Sequence, residues 1–174
     1  MNDSAIILKN LIPALAGSDA FDEEWEKKIT YSVQPSIEQV VTNNAEDFNR
    51  WAADPDGFGI PGPVLWLFGG MIGRMIAGGL PKNPLNVLVD PIVPLKEFAT
   101  AVGEKTFFGG DEPSPVDISL YGTLVTFVNK SCTTVLGLLD EAALMPWFLA
   151  MDAKIPLKSL YPATAWTPPA AIAA

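Results

Sequence analysis

Histidine is absent from the 174 residues and cysteine occurs once, at Cys132. A Ser-His-Asp or Cys-His apparatus, a histidine metal site and an internal disulfide are therefore excluded within this chain. Basic residues are sparse as well: 11 Lys and Arg stand against 20 Asp and Glu, a net charge of −9, with a pI of about 4.3. A field of that sign repels phosphate backbones and excludes nucleic acid as a partner. Charged residues make up 18% of the chain, whereas hydrophobic residues make up 49% and the mean hydropathy is +0.25. That composition excludes disorder, and it is oily enough that part of the apolar surface is expected to meet protein partners. Met1-Asn2-Asp3-Ser4 carries no basic region and no Arg/Ser-rich leader, so no targeting peptide is visible.

What is present reads as helices. The length suits one core, and the 14 glycines and 16 prolines are scattered as punctuation between elements. Asp3 or Ser4 caps a short helix that Pro13 closes. Phe21 to Val33 places Phe21, Trp25, Ile29 and Val33 on one face, with Asp22, Glu23, Glu24 and Glu26 expected to form a solvated face and Lys27 and Lys28 to follow them. Pro35 kinks or restarts this helix, which continues through Ile37, Val40 and Val41. Asn44 to Asp47 resembles a capping box that turns Phe48 and Trp51 inward, and Asp54 to Gly57 ends that helix. Asn83 to Gly103 is expected to be helical despite Pro91 and Pro94, cleanest over Pro94–Val102, where Leu95, Phe98, Ala99 and Val102 form a stripe. Phe107 to Pro113 is a turn. Ser114-Pro115-Val116-Asp117 then supplies an N-cap hydroxyl, a proline at the first helical position and a carboxylate that can return to the cap amide. The helix it starts carries Leu120, Tyr121, Leu124, Val125, Phe127 and Val128 and is expected to be the central core helix. Cys132, at its far end, has no base or cation near it in sequence and is expected to be inert packing. A last helix runs from about Pro146 to near Pro156. Nothing alternates with period two, so the expected fold class is all-α.

Between Phe58 and Leu80 the only charge is Arg74. Gly59, Pro61, Gly62 and Pro63 break the front, leaving Val64 to Leu80 as a helix of about 25 Å, short of a bilayer core of about 30 Å. Gly69, Gly73 and Ala77 fall at i+4 spacing on one side, where another helix can approach closely. The stretch is expected to be a buried or partner-packed helix. Trp66, Gly69, Gly73, Arg74 and Ala77 are its candidate contacts, and Trp25, Trp51, Trp147 and Trp166 are further aromatic anchors that serve either the core or an interface.

The segment Phe107-Phe108-Gly109-Gly110-Asp111-Glu112-Pro113-Ser114-Pro115-Val116-Asp117-Ile118-Ser119-Leu120-Tyr121-Gly122, followed by Pro146-Trp147-Phe148-Leu149-Ala150-Met151, resembles the C-terminal helical half of glutathione transferases. Within that family it is most similar to the prostaglandin E synthase 2-like branch, through Glu24-Trp25, the glycine-rich apolar helix and Ala101-Val102-Gly103. The resemblance covers about residues 2–155. It implies a remnant of the last thioredoxin-domain helix at 1–15, a helical bundle built around the capping-box helix at 16–160, and a Pro/Ala-rich tail at 161–174. It also implies that Asp3 and Ser4 stand where relatives hold the γ-glutamyl group of glutathione, although the same pair reads as a plain N-cap. The strands, the cis-proline and the catalytic Cys-x-x-Cys or its Tyr/Ser equivalent of the family's thioredoxin half have no counterpart in this sequence.

The expected function is a non-catalytic scaffold or linker subunit, not a free monomer, packed among protein subunits of a larger membrane-associated complex in a plastid or mitochondrion, such as an antenna or respiratory assembly. The face that docks the thioredoxin half in relatives would then serve a new partner. No cofactor is required. Glutathione, or a pigment or lipid in the family's apolar pocket, is what a carrier role would use. The alternative is a truncated glutathione-dependent transferase or isomerase, whose proton transfers would fall to carboxylates alone.

Overall fold

The computed structural model describes residues 22–53, 59–79 and 84–154. Helix α1 (Glu23–Lys28) begins where the Asp22 carboxylate accepts the amides of Glu24 and Trp25, both at 3.1 Å. It continues through a π-helical turn, Ile29–Val33, into α2 (Gln34–Asn43). Pro35 is the cause. It has no amide to give the Tyr31 carbonyl four residues back, and its ring would strike that carbonyl in a regular helix. The widened turn lets the Gln34 amide reach Ile29 O instead. The freed Tyr31 carbonyl accepts the Val87 amide at 2.7 Å, and Ser36 Oγ accepts the Val89 amide at 3.0 Å.

These two bonds correct the expectation of a helix from Asn83 to Gly103. Residues 86–90 are irregular, the amides of Val87 and Val89 serving the proline break, and α5 (Ile92–Val102) starts only after Pro91. Its stripe is as expected, with Leu95, Phe98 and Val102 buried and Ala99 packed beside them.

Helix α3 (Ala45–Ala53) is capped by Asn44 Oδ1, which accepts the amides of Glu46 and Asp47 at 3.1 and 3.2 Å. The expected return contact from Asp47 is not made, because that carboxylate is used elsewhere. Helix α4 (Gly62–Gly79) starts two residues earlier than expected, its first turn closed by the amides of Val64 and Leu65 on Pro61 O. The capping-box helix α6 (Pro115–Val128) is followed by α7 (Thr133–Glu141) and α8 (Met145–Lys154). Helix α7 was not foreseen: Cys132 is the residue before it, not the end of α6.

Among the described residues there is no strand, only an isolated bridge between Phe107 and Gly110; the protein is all-α. The main core gathers α1, α2, α5, α6, α7 and α8 around Ile37, Leu95, Phe98, Leu120, Leu124, Leu139, Phe148 and Met151. A second, smaller cluster of Phe48, Ala52 and Leu65, with Ile60, Ile72 and Ile76, joins α4 to α3, and Trp51 touches both. Helix α6 is not apolar-packed on every side, as Ile118, Gly122 and Thr126 form an exposed stripe at i+4 spacing. No single described helix is long and apolar enough to cross a membrane. The α7–α8 pair passes by length and composition but is bent by 112°, and its Val135, Leu139, Trp147, Phe148 and Met151 are in the core.

Candidate functional site

Helix α4 divides into two faces. Leu65, Gly69, Gly73 and Ala77 are buried against α2 and α3. A Cβ on Gly73 would lie 2.5 Å from the Thr42 carbonyl oxygen and 3.3 Å from the Phe48 ring, so only glycine allows this approach. The opposite face holds Leu67, Phe68, Met71 and Met75, exposed by 62%, 48%, 58% and 72%, with Val64 at its start, whereas Trp66, 82% exposed, projects from the first turns on the side of the Gly73–Ala77 stripe. Arg74 is exposed among them and is the one charge in Gly62–Gly79. The expected contact residues therefore separate: Gly69, Gly73 and Ala77 serve internal packing, whereas Trp66 and Arg74 are exposed. Of the expected buried or partner-packed helix, one face is buried on its own chain and the other is exposed.

A second set of exposed apolar side chains, Leu85, Val87, Val89 and Val93, follows the irregular segment into α5. The amides of Val87 and Val89 point inward, to the π-helical turn and to α2, and their side chains are exposed.

The capping-box residues make a buried polar knot. Ser114 Oγ accepts the Asp117 amide at 3.4 Å, and the Ser114 amide donates to Asp117 Oδ2 at 2.8 Å. The carboxylate also accepts from Ser114 Oγ (2.7 Å), the amides of Phe108 (2.8 Å) and Gly109 (3.2 Å), and Trp147 Nε1 (2.9 Å). Asp117 thus ties the 107–110 turn, the start of α6 and the start of α8 together. Gly110 closes that turn at φ +108°, a conformation side chains rarely adopt. Ser114, Pro115 and Asp117 hold structure, as expected, and are saturated by it.

Two other buried carboxylates were missed. Asp47, fully buried, accepts the amides of Thr133 and Thr134 at 2.8 and 2.7 Å and so caps α7 from a distance of 86 residues in sequence. Burial works to raise its pKa, but the bonds from Thr134 and Thr133 outweigh it and hold the carboxyl below its ordinary range. Glu26, expected in a solvated acidic face, is only 5% exposed. Ser119 Oγ lies 2.8 and 2.9 Å from its two oxygens. Burial raises its pKa, Ser119 partly offsets this, and the Asp22 charge adds to the rise. Spacing alone could have flagged Glu26, one residue from the buried-face Trp25 and three from Ile29.

Cys132 is fully buried, with Sγ 3.7 Å from the Asp47 carbonyl oxygen. Burial, then the Asp47 charge, push the thiol up to about 12, against a smaller opposing effect of Arg50. The thiolate needed for nucleophilic chemistry is not accessible there at neutral pH. Tyr121 donates to Asp152 Oδ1 at 2.9 Å, and burial and that carboxylate raise the phenol well above its usual range. Among the described residues no three His, Cys, Asp or Glu side chains are placed to hold a metal ion. Asp3, Ser4 and Trp166 lie outside the described residues.

Comparison with protein-family models, curated proteins and solved structures returns no match.

Proposed function

We propose that the chain is a non-catalytic scaffold or linker subunit, a glutathione transferase C-terminal-like bundle that packs through apolar helical surface into a larger membrane-associated assembly of a plastid or mitochondrion. One observation carries this reading: the outer face of α4 leaves Leu67, Phe68, Met71 and Met75 uncovered, with Trp66 exposed at the helix's start, although both cores are already packed. Contiguous exposed apolar patches of that kind mark interaction surfaces. The side chains that could do chemistry favour the same reading. Asp117 and Asp47 are saturated with structural hydrogen bonds, and the Cys132 thiol is buried and protonated.

The test is cross-linking and mass spectrometry on the protein isolated from its own source under mild detergent. Cross-links to other subunits from residues near Leu67, Met71 or the Leu85–Val93 patch are expected. Recovery of the chain without any such neighbours would overturn the proposal.

A further inference from the structure

We propose that the Glu26 carboxyl and the Ser119 hydroxyl form a proton-operated latch that holds α1 to α6, closed while Glu26 carries a proton and loosened when it ionises. This stands apart from the scaffold reading, since it involves no residue of α4.

The first support is the supply of hydrogen-bond donors. Asp117 is met by three backbone amides, a hydroxyl and an indole, and Asp47 by the amides of Thr133 and Thr134 and the Thr133 hydroxyl. An ionised carboxylate in a core requires such a set. Glu26 is equally buried, but Ser119 Oγ stands 2.8 Å from one of its oxygens and 2.9 Å from the other. The single hydroxyl proton serves one oxygen at a time. A protonated carboxyl fills the same geometry completely: its own O–H donates to Ser119 Oγ, while the Ser119 O–H donates to the other oxygen.

The second is the charge around the pair. Helix α1 packs on the π-helical turn and on α6. On α6 the titratable groups are Asp117, turned to the 107–110 turn and Trp147, and Tyr121, whose hydroxyl donates to Asp152. The π-helical turn brings the Tyr31 phenol. From α5, Glu97 takes Lys28 at 2.8 Å, and from the turn under Trp25, Lys105 donates to Phe108 O. On α1 itself Lys27 is paired with Glu23, and Asp22, which caps the helix, adds a like charge. Among the described residues no cation is paired with Glu26. Ionisation therefore leaves an uncompensated buried charge, and burial first and Asp22 after it raise the Glu26 pKa.

The third is a hinge. Helix α1 is six residues long and joins α2 through the π-helical turn that Pro35 imposes. Its other ties are the surface pair Lys28–Glu97 and the Trp25 ring, edge-on to Phe98 at 5.5 Å and to Phe108 at 5.9 Å. A short helix on a widened turn can swing to bring the Glu26 carboxylate to water while α2 stays packed. What opens is the edge of the main core beneath Trp25.

The test is hydrogen exchange by NMR on the full chain at about pH 4 and about pH 8, corrected for the intrinsic pH dependence of exchange, together with an NMR titration of the Glu26 carboxyl. The amides of Glu26 and Ile29 are bonded to Asp22 O and Trp25 O. Their protection is expected to fall about tenfold from acid to alkaline pH if Glu26 titrates one pH unit above its ordinary 4.5, and further for a larger rise. They are also expected to stay less protected than the α6 amides throughout. Glu26→Gln, uncharged at both pH values and still able to meet Ser119, is expected to hold that protection constant. Ser119→Ala is expected to lower it already at the acid pH. A wild-type Glu26 carboxyl that titrates at or below 4.5, α1 amides no less protected than those of α6, or the same fall in Glu26→Gln overturns the latch.

Discussion

Asp117 and Glu26 are buried carboxylates with different numbers of donors, and their substitutions should behave in opposite ways. Asp117 receives three backbone amides, a hydroxyl and an indole. Asp117→Ala would strand these donors in the core and is expected to cost about 3–5 kcal/mol, read as a lowered midpoint in urea. Glu26 has the Ser119 hydroxyl alone among the described side chains, and burial raises its pKa above the ordinary 4.5. Its folded state therefore favours the protonated form. The associated stability is complete below pH 4.5 and is lost as pH rises through the raised folded value. Glu26→Gln is expected to stabilise the protein at pH 7 and to be near neutral at pH 4, by thermal unfolding at both. Asp47 has the contrary sign. Its carboxyl is held below the ordinary 3.8, so its contribution is present above that pH and lost as pH falls through the lowered value. The Ser114–Asp117 box was legible in sequence because its two members are three residues apart. Trp147 on Asp117, Ser119 on Glu26 and Thr133 on Asp47 were not legible, since each joins residues 30 or more apart and depends on how whole helices pack.

At the scale of elements, the two faces of α4 predict opposite outcomes for one substitution type. Gly73→Ala puts a methyl group into the Thr42 carbonyl, a backbone atom that cannot swing away, and should cost about 1–3 kcal/mol as α4 is pushed off α2. Gly70→Ala meets nothing within 4 Å and should gain about 0.5–1 kcal/mol from helix propensity. Chemical denaturation of the two variants measures both. Pro35→Ala returns an amide to compete for Tyr31 O, so the Val87 amide, now bonded there at 2.7 Å, is expected to exchange with deuterium faster. The glycine stripe of α4 was readable from its i+4 spacing, but which face would remain bare was not, because that depends on α2 and α3 filling only one side. The non-helical run at 86–90 escaped notice because its cause is Pro35, more than 50 residues earlier. Helix α7 escaped because its cap is Asp47 and because Ser131, at φ +55°, turns the chain just before it.

For the whole molecule, the surplus of apolar residues over charge has a location. Among the described residues it lies in two cores and on the outer face of α4, with a smaller share at Leu85, Val87, Val89 and Val93. The all-helical class was legible from the missing period-two pattern and the proline and glycine spacing. The glutathione transferase-like arrangement remains a proposal about ancestry, and the function proposed depends on the bare surface more than on that ancestry. The most direct test of an assembly subunit is the molar mass of the species that carries this chain in a mild-detergent extract of its own source, by size-exclusion chromatography with light scattering. Elution within an assembly several times the chain's 18.7 kDa is the predicted result. A stable, monodisperse 18.7 kDa monomer, with Trp66 and Met71 open to solvent, would contradict it.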